Sequence, residues 1–533
     1  MRTVSLLLGM VAAGLFCACG RVEPPSANIY PDYADGIVIP CNIAPLNFLM
    51  ADGRTHRVRV EACNSLGNLL GSHTYNRCKK LIFKESDWRD MLASATGGFL
   101  RIVVDDTASR LWRISSDSID PYLVYRLGPH DQNTGGRLQV YERNITDFSH
   151  RCLMDNLQTE NNCMNCHSLG ADAKMVFHVR EAFAGTVITD GKGASLKISV
   201  PARYGFRLSY PAWSPNGRYI AFATTRIAPV QFVNPHRTQD LMPDVAAWIV
   251  LYDTRQNRLF SCPALTDTAF CFSFPTWAPD GKSLYFCRTP HMEVWNLPQE
   301  REKECLAEFR YDLFRIDFDA DSETFGEPEM VYSPLGGNFG GAAGDSVNRS
   351  ASIPSASPDG KFLFVSTVMM GSFPSQNQGD LILLQWDSTE DGRAYLREVH
   401  TPGFNSPDAD RRGVWSASGK WFVFTSKRES GAQSLLYLAH FDGSAPDEQK
   451  ISKPFVLPQK QPDHYIWNTR SYTFPVFSGK PLPFDGKTYK DIVEQPLSEP
   501  DMMFFDTSGM VSGSVDATSG ASQAVSSTNF GGH

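Results

Sequence analysis

The sequence predicts an all-β protein: a small β-sandwich-like domain followed by a β-propeller of five blades, with six blades as the alternative. Two observations predict it. The early part of the chain breaks into short β-branched and aromatic runs separated by polar turns, a spacing that suits a sandwich. Further along, one unit recurs: an extended aromatic segment, a Pro-Asn/Asp-Gly turn and an apolar strand. Its copies begin at Ser209-Tyr-Pro-Ala-Trp-Ser-Pro-Asn-Gly-Arg218, Ser273-Phe-Pro-Thr-Trp-Ala-Pro-Asp-Gly-Lys282 and Ser352-Ile-Pro-Ser-Ala-Ser-Pro-Asp-Gly-Lys361, with a degraded copy from Gly413 to Phe424.

The elements follow in order. Met1-Arg2 and the apolar run Leu6 to Phe16 form a signal peptide over residues 1–19, too short to span a bilayer and stay there. Ala18-Cys19 resembles the lipobox of bacterial lipoproteins, although Phe16 stands where that box usually has Leu. The resemblance implies acyl chains on Cys19, and several chains anchor stably because each buried methylene contributes about 0.8 kcal/mol. An ordinary cleaved secretion signal is the other reading.

Residues 20–150 form the sandwich-like domain, with strands expected at Ile37-Val-Ile39, Leu81-Ile-Phe83, Phe99 to Val104, Ser109 to Ile114 and Leu123-Val-Tyr125. Residues 151–173 form a short attachment segment between the two β-regions. The propeller covers 174–478. Its upstream strands, Met175 to Arg180, Gly185 to Thr189 and Leu196 to Val200, would make a fifth blade closed by Tyr472 to Phe477. Residues 479–533 are a carboxyl-terminal tail, whose last 27 residues, Thr507 to His533, are rich in Ser, Gly, Ala and Thr and expected to be disordered.

The attachment segment holds Asn162-Cys163-Met164-Asn165-Cys166-His167-Ser168, and with it the C-x-x-C-H pattern of covalent haem attachment. The chemistry needs that spacing: two thiols add to the two vinyl groups of one porphyrin, and the next residue sets an imidazole under the iron. With 12 Cys and 12 His in 533 residues, random placement yields about 0.006 such patterns. A redox C-x-x-C pair, structural disulfides and half a zinc site are the alternatives. In the haem reading Cys163 and Cys166 are the thioether attachments, His167 is the proximal ligand, and one haem c is bound. His178 or Met175, three apart on a strand and so on opposite faces, is the candidate distal ligand, or neither is. With so little chain around the motif, the haem would sit in a cleft between sandwich and propeller.

The repeats resemble those of TolB-like periplasmic propellers. The order of β-domain, C-x-x-C-H-S and propeller resembles a group of exported lipoproteins often labelled TolB-like or cytochrome c biosynthesis proteins. Asn42-Ile-Ala-Pro-Leu-Asn-Phe48, Leu436-Tyr-Leu-Ala-His440 and Phe455-Val-Leu-Pro-Gln-Lys460 fit that group as well. The resemblance implies a cell-envelope location, facing the periplasm, and one haem. It names no substrate.

Other signals narrow the function. A net charge of −8 with no basic stripe argues against a nucleic-acid partner. Leu335 to Gly344 is glycine-rich but lacks the Gly-Lys-Ser/Thr ending of a phosphate loop. Asp106, Asp117, Asp120, Asp317, Asp319, Asp321 and Glu323 read as solvated turns, with calcium as the weaker reading. No hydrolase motif is present, so the enzyme question stays open, leaning to no. Eight cysteines outside the signal and the motif suffice for disulfides, and Cys63/Cys78 and Cys262/Cys271 are close enough in sequence to pair. Two function classes remain: a mono-haem electron-transfer or redox subunit working with an envelope redox or assembly protein, and a propeller scaffold that binds a protein or glycan partner.

Overall fold

The computed structural model describes residues 27–503, apart from 130–135, 181–182, 228–229, 235–236, 242–243, 293–309, 335–348, 369–378 and 393. The signal segment with Cys19, the glycine-rich run at 335–344 and the tail beyond 503 therefore lie outside the described residues.

The amino-terminal domain is built on strict alternation. His56–Cys63, Phe99–Val104 and Ala108–Ser115 turn Val58, Val60, Leu100, Ile102, Trp112 and Ile114 inward and their arginines and acids mostly outward. Together with Val38–Pro40 and Leu69–Cys78 they make a five-stranded sheet. A three-stranded sheet of Ile29–Tyr30, Phe48–Met50 and Lys80–Leu81 belongs to the same core. One element departs from the all-strand expectation. Glu85–Ser94 is a helix, with Glu85 and Asp87 in its first turn and Trp88, Met91 and Leu92 buried at helical spacing. The Trp88 indole donates to the Ile43 carbonyl at 2.8 Å.

Six sheets follow, which is the alternative count; the four strands named for each are antiparallel, and Leu497–Ser498 and Asp501–Met503, from the expected tail, add one parallel strand each to blades 2 and 3. Blade 2 has Met164–Leu169, Met175–Val179, Gly185–Thr189 and Ser195–Ile198. Blade 3 has Arg207–Trp213, Tyr219–Ile227, Ile249–Asp253 and Arg258–Phe260. Blade 4 has Phe270–Trp277, Ser283–Pro290, Asp312–Asp319 and Glu329–Tyr332. Blade 5 has Ser350–Ala356, Phe362–Val368, Asp380–Ser388 and Ala394–Glu398. Blade 6 has Asp410–Trp415, Trp421–Ser426, Leu435–His440 and Phe455–Val456. Blade 1 draws on both halves of the chain: Arg470–Ser478 pairs with Tyr122–Pro129, which continues to Gln139–Asn144 and His150–Asp155. The first strands of blades 2 to 6 touch in succession, and Arg470–Ser478 touches its neighbours on both sides, so the inner strands close a ring.

This corrects three expectations. Tyr472 to Phe477 does not close the blade of 175–200; Tyr472 faces Leu127 and Phe477 faces Leu123. That blade already has an inner strand, because the attachment segment itself supplies Met164–Leu169. Leu123 to Tyr125 belongs to the ring rather than the sandwich, so the boundary between domains falls near Asp120 and not at 150.

The acids expected in solvated turns partly hold the molecule together. Asp117 accepts from the His440 ring at 3.0 Å, its carbonyl accepts from the Trp421 indole at 3.0 Å, and Asp120 accepts from the Ala417 amide at 2.7 Å. These contacts seat the sandwich on blade 6. Glu323 gathers Arg218, Arg258 and the Tyr219 hydroxyl.

The suggested Cys63/Cys78 bridge does not form. Cys63 faces Leu69 while His56 faces Cys78, so the two thiols stand at opposite ends of one hairpin, about 23 Å apart along it. Cys262 carries a free thiol, so the suggested Cys262/Cys271 bridge does not form either.

Candidate functional site

Every inner strand of the ring carries a bulge at the same place. The register shifts between Asn165 and Ser168, Ser209 and Ala212, Ser273 and Thr276, Ser352 and Ser355, Arg411 and Val414, and Thr473 and Val476. The first bulged residue takes a left-handed backbone at Tyr210 (φ 47°), Phe274 (51°), Ile353 (51°), Arg412 (54°) and Phe474 (54°). The next residue is Pro211, Pro275, Pro354, Gly413 or Pro475. A bulge leaves one residue out of the ladder, so a proline forfeits nothing there. In blade 2 these two positions are Cys166 and His167. The C-x-x-C-H motif is thus one copy of the blade repeat, with the thiol in the aromatic position and the imidazole in place of proline.

That equivalence was readable in the sequence. Asn165-Cys-His-Ser-Leu169 aligns with Ser209-Tyr-Pro-Ala-Trp213, and Thr473-Phe-Pro-Val-Phe-Ser-Gly479 is a further copy. Neither is followed by the Pro-Asn/Asp-Gly turn, the signal that exposed the other copies.

The chain around the motif is locked on both sides. Upstream, Asp155 caps the turn Asn156–Thr159, and Asn162 accepts from the Thr159 hydroxyl at 2.7 Å while its amide donates to the Arg180 carbonyl. Between the cysteines, Met164 is fully buried and receives the Tyr489 hydroxyl on its sulfur at 3.4 Å. Downstream, the Trp213 indole donates to the Ser168 carbonyl at 3.3 Å. Gly170 has to be glycine, since a Cβ there would stand 2.7 Å from the Trp213 ring.

His167 is 6% exposed, its ring centre 6.3 Å from that of Phe474. Burial pushes its pKa down to about 3, and the guanidiniums of Arg126 and Arg412 push the same way. Both guanidiniums lie over the Phe474 ring, at 4.8 and 3.7 Å. The imidazole is therefore neutral at any ordinary pH, and its Nε2 is buried without a hydrogen-bond partner among the described residues. A neutral imidazole with an orphaned nitrogen is a donor that haem iron can take, and in the sequence Cys163 and Cys166 precede it at the attachment spacing.

The two distal candidates lie on opposite faces of Met175–Val179, as the strand period requires. Met175 packs with Met164, Phe177 and Tyr489 on the blade 1 side. His178 faces blade 3, its ring 5.8 Å from Phe222 and its Nδ1 sharing a 2.8 Å hydrogen bond with Thr186. The described contacts bring neither of them to His167. The motif also lies inside the ring, between blades 1 and 2, and not in the expected cleft between sandwich and propeller: the neighbours of His167 are Val124, Arg126, Arg412 and Phe474.

No family model matches the chain, and no curated protein matches it. Among solved structures, a protein named as TolB from Agrobacterium tumefaciens is 12% identical with a TM-score of 0.30, covering 64% of this chain and 88% of its own. Prolyl oligopeptidase B from Galerina marginata is 11% identical with a TM-score of 0.33, covering 64% of this chain and 52% of its own. A β-propeller domain from Myceliophteria thermophila is 9% identical with a TM-score of 0.30, covering 54% and 70%. Likeness at that level decides nothing about chemistry; the six-bladed ring rests on its own strand pairing.

Proposed function

We propose that this chain is a cell-envelope, lipid-anchored, mono-haem c-type cytochrome-like protein that serves as an electron carrier or redox subunit. The observation that carries the reading is His167, a neutral and buried imidazole with an orphaned Nε2, set in the C-x-x-C-H motif at an inner-strand bulge where four of the five sister blades have proline. Cys163 and Cys166 would hold the haem, and His167 would be its proximal ligand. The haem would supply one-electron exchange at iron. Burial, helped by the Arg126 and Arg412 charges, keeps the imidazole deprotonated, and the Trp213–Ser168 and Asn162–Arg180 contacts hold the motif's two ends in register. The export signal and Cys19 support the envelope location, and among the described residues no helix is long and apolar enough to cross a membrane.

Expressed with a c-haem maturation system, the wild-type chain should keep haem-linked peroxidase staining on a denaturing gel, and Cys163→Ala with Cys166→Ala should lose it. An unstained wild-type chain with a Cys163–Cys166 disulfide would leave the scaffold reading, a propeller binding a protein or glycan partner. Acylation is tested separately: Cys19→Ser should leave the detergent phase that the wild type enters.

A further inference from the structure

A second surface, remote from the motif, has a composition that the fold does not require. Through the segment after Cys78, core and outward positions alternate: Leu81 and Phe83 are buried, while Lys80, Ile82 and Lys84 point outward. Arg77 and Lys79 are exposed just before them. A short helix, His464–Trp467, is tied to this strand through the residue before it, Asp463. It buries Tyr465 but leaves Ile466 52% and Trp467 78% exposed.

Two clasps hold the segments together. Lys80 bonds Asp463 at 3.0 Å. Asn47 donates to the carbonyls of Gln459 and Lys460 and accepts from the Phe83 amide at 3.0 Å. The clasps bring exposed Ile82 next to the segment that carries Ile466 and Trp467, whose helix turns directly off Asp463. Arg77, Lys79, Lys84 and Lys460 are the exposed cations of these two segments, with Lys84 paired to Asp87 at 3.4 Å, and Glu85, Asp87 and Asp463 are their acids. Scattered exposed apolar residues are ordinary. A fully presented indole with two isoleucines among exposed cations, on a chain of net charge −8, is a local reversal of the protein's own charge.

We propose that this face docks on the surface of an anionic lipid bilayer, with Trp467, Ile466 and Ile82 at the headgroup boundary and the lysines over lipid phosphates. The proposal rests on the reading of Cys19 as the anchor. The lengths agree. Eight chain steps lead from Cys19 to Ala27, a reach of about 28 Å at most. The first strand, Ile29–Tyr30, lies two strands from Lys80–Leu81, about 10 Å. An acylated Cys19 therefore has the reach to anchor the chain beside the basic face.

The test uses the mature lipoprotein in vesicles of phosphatidylglycerol and phosphatidylcholine, with part of the lipid brominated near the headgroup. Trp467 is one of ten tryptophans, so shallow bromine should remove about a tenth of the fluorescence from the wild type and none from Trp467→Phe. Lys79→Glu with Lys84→Glu, or pure phosphatidylcholine, should at least halve that loss. Unchanged melting temperatures confirm that these exposed substitutions leave the fold intact. Equal quenching of wild type and Trp467→Phe overturns the proposal and leaves the face to a protein partner. Mass spectrometry of the amino terminus reports acylation independently. Should Cys19 carry no acyl chain, co-sedimentation with phosphatidylglycerol vesicles decides: loss in the Lys79/Lys84 variant supports the face, and no binding by the wild type overturns it.

Discussion

His178 has one polar contact, to Thr186, and its Nε2 is buried without a partner among the described residues. Burial, then the nearby Arg180 charge, holds its pKa well below the ordinary value of 6.5. The sign of the linkage follows. In the unfolded chain His178 takes a proton as pH falls through 6.5, and the folded state does not, so the unfolded state binds more protons and stability drops with falling pH. The contribution is complete above pH 6.5 and decreases below it, by no more than about 2 kcal/mol at pH 5. Urea midpoints measured at pH 7.5 and 5 should therefore differ less in His178→Gln than in the wild type; an unchanged difference would show that other groups dominate. The C-x-x-C-H pattern was legible because its spacing is chemistry. The meaning of the acids was not: Asp117, Asp120 and Glu323 look alike in sequence to solvated turn residues, and only tertiary partners set them apart.

One hydrogen bond recurs between blades. Trp213 donates to the Ser168 carbonyl, Trp277 to Ala212 and Trp415 to Ser355, each indole reaching the inner strand of the blade before it at 3.1 to 3.3 Å. The tight turns nest in the same direction. Gly281 (φ 70°) sits against Pro215 and Gly419 (φ 65°) against Pro358, and only glycine takes that backbone without strain while a proline packs so near. The Trp and Pro-Asp-Gly positions were visible in sequence as a repeat because they do this inter-blade work. Blades 1 and 2 escaped recognition because neither Phe477 nor Leu169 is followed by that turn, whereas blade 5, with Ala356 where the indole would be, keeps its Pro-Asp-Gly and was visible. Trp277→Phe should keep the ring and cost about 1 kcal/mol for the lost hydrogen bond, whereas Trp277→Ala should cost about 3–5 kcal/mol, both read from denaturant midpoints. Equal costs would mean that packing alone holds these blades.

Ring closure depends on blade 1, where Tyr472 is buried against Tyr125, with ring centres 5.2 Å apart, and its hydroxyl meets His464 at 2.8 Å. Tyr472→Ala should cost about 3 kcal/mol. Hydrogen exchange should then quicken in Tyr122–Pro129 together with Arg470–Ser478, since the strands open as one unit. Exchange confined to the carboxyl-terminal strand would count against a shared unit. Domain order and the all-β class were legible from local pattern. The sixth blade was not, because strand partners this far apart leave no mark on either stretch alone: Leu127 and Arg470, which bond across the closing pair, are separated by 343 positions.

That separation also sets a timetable. Synthesis delivers the motif long before Arg470–Ser478 exists, so for most of the growth of the chain His167 has no Phe474 beside it and the gap next to blade 2 stands open. Once the last inner strand arrives, the imidazole is walled in. Whatever chemistry is done on these thiols therefore has a window, which opens as residue 167 emerges and shuts when the ring snaps closed.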